Sequence, residues 1–234
     1  MTSMEVLGQA VDRPRFAVVL GIDGAGKSAA LQQLESEIDI QIITWRMVFE
    51  LPELHQFYKL LERIGNKNVR TPLKPRTRAF YFLQFFMAEY EHLIAPALAQ
   101  NKVVVADSYY YKSLAKEEIR GRTDSIARQA LNLLPEPDVV FYLDIDPQTA
   151  FRRKGRINKN EVGGRAPTEE AFCRFQAEVA SRLQEYITDC EVIEIAAGAM
   201  SSSEIMRIMA DRLMNCPHRE KASEMDVKEK AYVG

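Results

Sequence analysis

The chain has 234 residues, 31 lysines and arginines against 33 acids, a net charge of −2 and an apolar content of 47%. That is enough chain for one large domain with a real core, and the charge balance excludes the strongly basic signature of a nucleic-acid or anionic-membrane binder. The three cysteines, Cys173, Cys190 and Cys216, have no C-x-x-C spacing, so they read as free thiols in a reducing compartment and not as a disulfide framework.

The first sixteen residues, MTSMEVLGQAVDRPRF, carry Glu5 and Asp12 and no long apolar core, so they do not read as a secretory signal. No apolar run approaches the ~18 residues of a membrane span. The expectation is a cytoplasmic protein with no membrane and no nucleic acid among its partners.

FAVVL at 16–20 predicts the first buried strand. The adjoining segment, GIDGAGKS, fits G-x-x-x-x-G-K-[ST] through Gly21, Gly26, Lys27 and Ser28. The glycines let successive backbone N–H groups turn inward on phosphate oxygens, and the helix predicted over 27–36 adds the positive end of its dipole. The cradle comprises Gly21, Asp23, Gly24, Ala25, Gly26, Lys27, Ser28 and Ala29. In it, Lys27 would neutralise the β and γ phosphates and Ser28 would ligate Mg²⁺. The plain alternative, a glycine-rich turn, is disfavoured because the match comes directly after a strand and opens a helix. Alone, the loop specifies only a nucleoside triphosphate. Motors, switch GTPases and kinases share it, and the chain lacks the N-K-x-D base-reading motif of a switch GTPase.

Further along, IQIIT (40–44), KVVVA (102–106), VVFYLDI (139–145) and EVIEI (191–195) predict four more strands. Helical patterns fall at 53–64, 78–99, 124–134, 147–154, 168–188 and 201–214. Strand and helix alternate, so the expected class is α/β: a three-layer P-loop fold with a parallel five-stranded sheet and helices on both faces. The expected organisation is a single domain over 1–216. A mobile, basic, Gly- and Asn-rich lid is expected at about 152–167, and a flexible charged tail at 217–234.

GIDGAGKS with its acid Asp23 resembles the phosphate loop of the thymidylate kinase family. HLIAPALAQNKVVVADSYYYKSLA (92–115) is similar to that family's helix, strand and D-R-[YH]-x-x-S-x-x-A segment. PDVVFYLDIDPQTAFRR (137–153) is similar to its fourth strand and the helix entering the lid. VIEIAAG resembles the last strand and the adenine-side turn. The resemblance covers roughly residues 16 to 214. It implies ATP and Mg²⁺ as cofactors, a nucleotide or nucleoside-like acceptor, and a homodimer through the long helices.

The resemblance also implies roles. Asp107 would reach Mg²⁺ together with Ser28, and Asp23 would orient the acceptor. Arg46 would contact the acceptor's phosphate, although an exposed surface arginine is the simpler alternative. Arg153, Arg156 and Arg165 fall where the family places lid arginines over the transferring phosphoryl group, and Tyr109 falls beside the acceptor.

Departures from the family pattern bear on the acceptor. D-R-[YH] becomes Asp107-Ser108-Tyr109, losing an arginine. On the long helix, RAFYFLQFFMAEY puts Phe82 at the base-stacking position and Phe86 where an arginine stands; a register one turn later gives Phe86 and Tyr90. A-Y-Q becomes Ala115-Lys116-Glu117, an acid replacing a base-reading amide. Arg70, Lys74, Arg76 and Arg78 are candidate replacements for the missing arginines. The acceptor is then a dTMP-like nucleoside monophosphate, or alternatively a nucleoside or other small hydroxyl compound. A degenerate kinase acting as an ATP-binding regulator is a third reading.

Overall fold

Strand β1 (Phe16–Leu20) is buried at every position. Side chains alternate between the two faces of a strand, so both faces of this sheet must be covered. The computed structural model describes residues 15–52, 55, 56, 59, 74–123, 125–187 and 190–215. In it β1 pairs in parallel with β3 (Val104–Asp107) on one side and β4 (Val139–Asp144) on the other. The edges are β2 (Gln41–Ile43) and β5 (Glu191–Ala196), giving the order β2-β3-β1-β4-β5, all parallel. Glu191 and Glu194 are exposed on the β5 edge, where charge discourages pairing with another sheet.

The described helices are α1 (Lys27–Glu37), α2 (Trp45–Val48), α3 (Pro75–Glu89), α4 (Ala95–Ala99), α5 (Tyr111–Ile119), α6 (Ser125–Leu131), α7 (Pro147–Lys154), α8 (Glu169–Tyr186) and α9 (Ser202–Asn215). Helix α1 packs on α9, α5 and α7 both pack on α8, and α3 meets α6. The core between these layers includes Phe141, Phe172, Leu34, Ile43 and Leu183, each essentially inaccessible to water.

All five predicted strands are present, within one or two residues of their expected ends. The long helix expected over 78–99 is not continuous. It starts at Pro75, whose missing N–H is harmless in a first turn. It is then interrupted by a π turn, Tyr90–Ile94, where the Ala95 N–H bonds back to the Tyr90 carbonyl. Pro96 accounts for the break, because it cannot donate to the carbonyl four residues back and its ring needs room there. The helix α5 is an addition, hidden in sequence by the strand-favouring run Tyr109-Tyr110-Tyr111. Of the helix expected at 53–64 only residues 55, 56 and 59 are described, each helical; Arg70, Cys216 and the tail 217–234 lie outside the described residues.

The segment 152–167 is not loop throughout. It contains a 3₁₀ turn, Lys159–Val162. The Asn158 side chain accepts the Asn160 N–H at 2.9 Å, and the Glu161 carboxylate accepts the Asn158 N–H at 2.9 Å. Glu161 and Val162 are buried.

Candidate active site

The strand register builds the site. Val19 of β1 lies opposite Asp107 of β3, and the Ser108 N–H donates to the Val19 carbonyl at 3.0 Å. Asp107 is thereby held beside the start of the glycine loop, two residues on from Val19. Gly24 has φ +90°, and a Cβ there would stand 2.6 Å from the Ala150 carbonyl oxygen. Only glycine allows this left-handed conformation and this closeness to α7. Gly26, at φ 95°, opens α1 directly after it.

Lys27 is buried, and its Nζ donates to the carbonyls of Gly21 at 2.8 Å and Ile22 at 2.9 Å. Burial drives its pKa well below the ordinary lysine value, with Lys112 adding to the fall. Ser28 and Ala29 stand at the mouth of the loop, Ala29 exposed and Ser28 in the cleft wall. One oxygen of Asp107 accepts the Ser108 hydroxyl at 2.9 Å. After Asp107 the backbone turns sharply: Ser108 (φ 69°) and Tyr109 (φ 44°) both occupy the left-handed region. Two such non-glycine residues in succession store local strain, of order 1–3 kcal/mol each. The turn launches α5 across the cleft.

Asp23 is where the structure departs most from the sequence reading. Its Oδ1 meets Lys112 Nζ at 2.7 Å, and its Oδ2 meets Lys116 Nζ at 2.6 Å. Gln176 of α8, fully buried, also donates to Oδ2 at 3.0 Å and accepts the Asp23 N–H at 2.9 Å. Burial raises the Asp23 pKa, but Lys112 and Lys116 outweigh it and hold the carboxyl well below the ordinary range. Lys112 is correspondingly raised: burial opposes its charge, and Asp23 and Asp107 overcome that.

A cleft of about 850 Å³ runs from the glycine loop to α3. Its wall carries Lys27, Ser28, Asp107, Arg46, Arg78, Phe82 and Arg120, and along it α5 runs from the turn after Asp107 through Lys112 and Lys116 to Glu117. Glu117 is buried and held by two arginines. Arg78 bonds it through Nε and through Nη2 (3.1 Å), and Arg120 bonds it at 2.9 Å. The Arg78 guanidinium also lies over the Phe82 ring, 5.0 Å from its centroid.

The remaining sequence-predicted residues divide. Arg46 is exposed, borders the cleft and stacks on Trp45 at 5.7 Å. Phe82 lines the cleft, where the first of the two helix registers puts it. Phe86, read as a substrate contact, is instead a core residue, 2% exposed and edge-on to Phe85. Tyr109 borders the cleft, but its ring is 3% exposed and stands edge-on to Phe16. Arg153, expected over the phosphoryl group, lines the cleft and donates its guanidinium N–H groups to the carbonyls of Ala197 (2.9 Å), Gly198 (3.0 Å) and Met200 (3.3 Å), in the turn after β5. Arg156 and Arg165 are exposed and are not among the residues lining the cleft. Sequence reasoning does not single out Lys112, Lys116, Gln176 or Arg120 as site residues. The available signal is Lys112, which occupies the serine position of the D-R-[YH]-x-x-S pattern.

A parallel sheet with a glycine loop after β1, a lysine inside it and an acid at the end of the neighbouring strand defines a P-loop nucleotide-binding protein. The family model described as thymidylate kinase matches residues 19–205. The chain is 27% identical over 185 residues to a thymidylate kinase of Francisella philomiragia, covering 75% of this chain and 89% of that one. It is 30% identical over 172 residues to a thymidylate kinase of Lactobacillus acidophilus, covering 68% and 79%. It is 31% identical over 149 residues to a thymidylate kinase of Akkermansia muciniphila, covering 63% and 70%. The chain belongs to the thymidylate kinase family. It is an ATP-dependent nucleoside monophosphate kinase, and membership does not favour the hydroxyl-acceptor or regulator readings. Among the described residues no helix is long and apolar enough to cross a membrane.

Proposed function

We propose that this enzyme transfers the γ-phosphoryl group of ATP to a dTMP-like nucleoside monophosphate, with donor and acceptor lying end to end in the one cleft. The observation that carries this reading is the cleft's two-ended wall. A phosphate cradle with Lys27 and Asp107 stands at one end, and an aromatic ring with polar neighbours, Phe82 and Glu117, stands at the other.

In this reading the loop amides from Gly21 to Ala29 and the Lys27 ammonium hold the β and γ phosphates. Lys27 exchanges its two loop carbonyls for phosphate oxygens. Ser28 and Asp107 fit Mg²⁺, because a hydroxyl and a carboxylate beside a phosphate cradle are the hard oxygen donors that this ion takes together with substrate phosphates. When bound, Mg²⁺ supplies charge neutralisation at the phosphates. A phosphate acceptor is already ionised near neutral pH, so no general base is required. Catalysis rests on positioning and fixed positive charge. Arg46 contributes from the acceptor side. Segment 152–167 acts as the lid, and Arg156 and Arg165 reach the transferring group on its closure. Arg153 instead anchors the turn after β5 beside the nucleotide site.

The test is an acceptor screen with ATP and Mg²⁺ across nucleosides, their monophosphates and small sugars, reading ADP release. Turnover stimulated by monophosphates alone supports the reading. Turnover stimulated by nucleosides or sugars alone defeats it.

A further inference from the structure

Two arginines that would receive the acceptor's phosphate are missing from this chain, at Ser108 and Phe86. A dianion still has to be held. The structure offers a replacement on a different element.

We propose that Lys112 and Lys116 are the seat of the acceptor's phosphate, with the Asp23 carboxylate as the counter-ion that occupies it at rest. The inference rests on the monophosphate-kinase reading above. The two lysines are one turn apart on α5, so their side chains leave the same helix face. Each takes a different oxygen of the same carboxylate, at 2.7 and 2.6 Å, and the Gln176 amide adds a third donor at 3.0 Å. Three donors converging on one small anionic group is the arrangement a phosphate needs. Both lysines line the cleft, between the Lys27–Asp107 end and the Phe82–Glu117 end. That is where an acceptor's phosphate must lie if its base is at Phe82 and its reacting oxygen faces the γ-phosphoryl group.

Charge counting separates this from a purely structural role. One ammonium neutralises one carboxylate. The second leaves an excess cation, with side-chain exposures of only 13% and 17% for the two lysines. Burying an unbalanced charge is costly unless an anion arrives to pair with it. Burial and the neighbouring Lys112 pull the Lys116 pKa down to about 8 in spite of Asp23, the mark of a cation short of the counter-charge that an incoming phosphate supplies.

Binding and kinetics test the assignment. Trp45, the chain's one tryptophan, borders the cleft, so its fluorescence can follow binding of dTMP and of thymidine. The wild-type chain is expected to bind dTMP at least thirtyfold more tightly than thymidine. In Lys116→Met, where Lys112 remains to pair with Asp23, that preference falls at least tenfold while thymidine affinity stays within twofold. The acceptor KM rises at least tenfold, the ATP KM stays within twofold, and Lys116→Arg recovers most of the loss. Lys116→Gln, which keeps a hydrogen-bond donor to Asp23, is the second variant, and thermal melts verify the folding of both. A dTMP preference that survives intact in Lys116→Met and Lys116→Gln overturns the assignment and leaves the monophosphate reading standing. A wild-type chain that phosphorylates thymidine and shows no preference for dTMP overturns the monophosphate reading itself.

Discussion

Gln176 grips Asp23 from both ends: its amide oxygen accepts the Asp23 N–H at 2.9 Å, and its amide nitrogen donates to the Asp23 carboxylate at 3.0 Å. The same nitrogen donates to the Glu161 carbonyl at 2.9 Å. One buried side chain on α8 therefore fixes the phosphate loop to the 3₁₀ turn of segment 152–167. Glu161 is tied in turn to Lys154 at 2.9 Å. Gln176→Leu keeps the volume and removes three hydrogen bonds, stranding buried polar groups at a cost of about 1–3 kcal/mol each. We expect a lower melting temperature in the absence of nucleotide, and faster backbone hydrogen exchange in the phosphate loop and at 158–163. Exchange confined to α8 would contradict the link.

Lys27→Ala removes the cation of the cradle. Lys27 bonds two loop carbonyls in this state, so the fold is expected to survive, with a melting temperature within a few degrees of wild type. Transfer should be abolished. Near-normal turnover with ATP and dTMP would remove the phosphate loop from the donor site.

Asp107→Asn preserves the shape of the β3 end and the bond from Ser108, and loses the negative charge a divalent cation requires. Turnover should fall by roughly two or more orders of magnitude. The Mg²⁺ concentration needed for half-maximal rate should rise. An unchanged Mg²⁺ titration would assign the ion elsewhere.

The base end of the proposed acceptor site also departs from the family pattern, at Glu117. Glu117 is saturated by Arg78 and Arg120, and Arg78 lies over one face of Phe82. A thymine has to displace or stack on that guanidinium, and it meets a carboxylate where an amide would both give and accept. One mismatched polar contact in a buried site is worth about 1–3 kcal/mol, roughly ten- to a hundredfold in rate. We therefore expect dTMP to be used with a kcat/KM at least tenfold below that of the Lactobacillus acidophilus relative assayed in parallel. A low-micromolar KM with comparable efficiency would show that the arginine–glutamate cluster reads thymine as well as an amide does.

Glu89, at the end of α3, is 1% exposed, and neither carboxyl oxygen has a partner among the described residues. Burial, reinforced by Asp107, pushes its pKa up to about 8. In the unfolded chain a glutamate titrates near ~4.3. The folded state therefore keeps a proton that the unfolded state releases. Stability is full below the unfolded value and declines as pH rises toward the folded one. The loss approaches about 5 kcal/mol above pH 8, at roughly 1.4 kcal/mol per pH unit. Urea unfolding should show wild type weakening from pH 6 to pH 8 and Glu89→Gln much less affected. Parallel pH profiles for the two proteins would disprove it.

Local features were the legible ones in the sequence. The strands could be read because FAVVL and VVFYLD are continuous apolar runs, and the phosphate loop because its glycines, lysine and serine sit within eight residues. The cluster on Asp23 is assembled over distance: Lys116 and Gln176 reach Asp23 from 93 and 153 residues away. No periodicity encodes such a meeting. Phe86 misled for the opposite reason, since aromatics four residues apart on a helix fit a binding platform and a core equally well, and only packing against Phe85 and Tyr110 decides.

The π turn at Tyr90–Ile94 divides the long helix into two rods with independent rotational settings. The rod before it carries Arg78, Phe82 and Glu89, and the rod after it carries Ala97 against the core. A π turn fits one extra residue into the rotation of an ordinary helical stretch, so removing one residue from it would restore α geometry and leave the two rods close to their present phase. A residue added instead to the α-helical stretch between Phe82 and the turn would swing Phe82 and Arg78 by about 100° off the cleft wall while Ala97 kept its packing. The phase between the rods, set by a count of residues and not by their identity, is what keeps Phe82 and Arg78 facing the cleft.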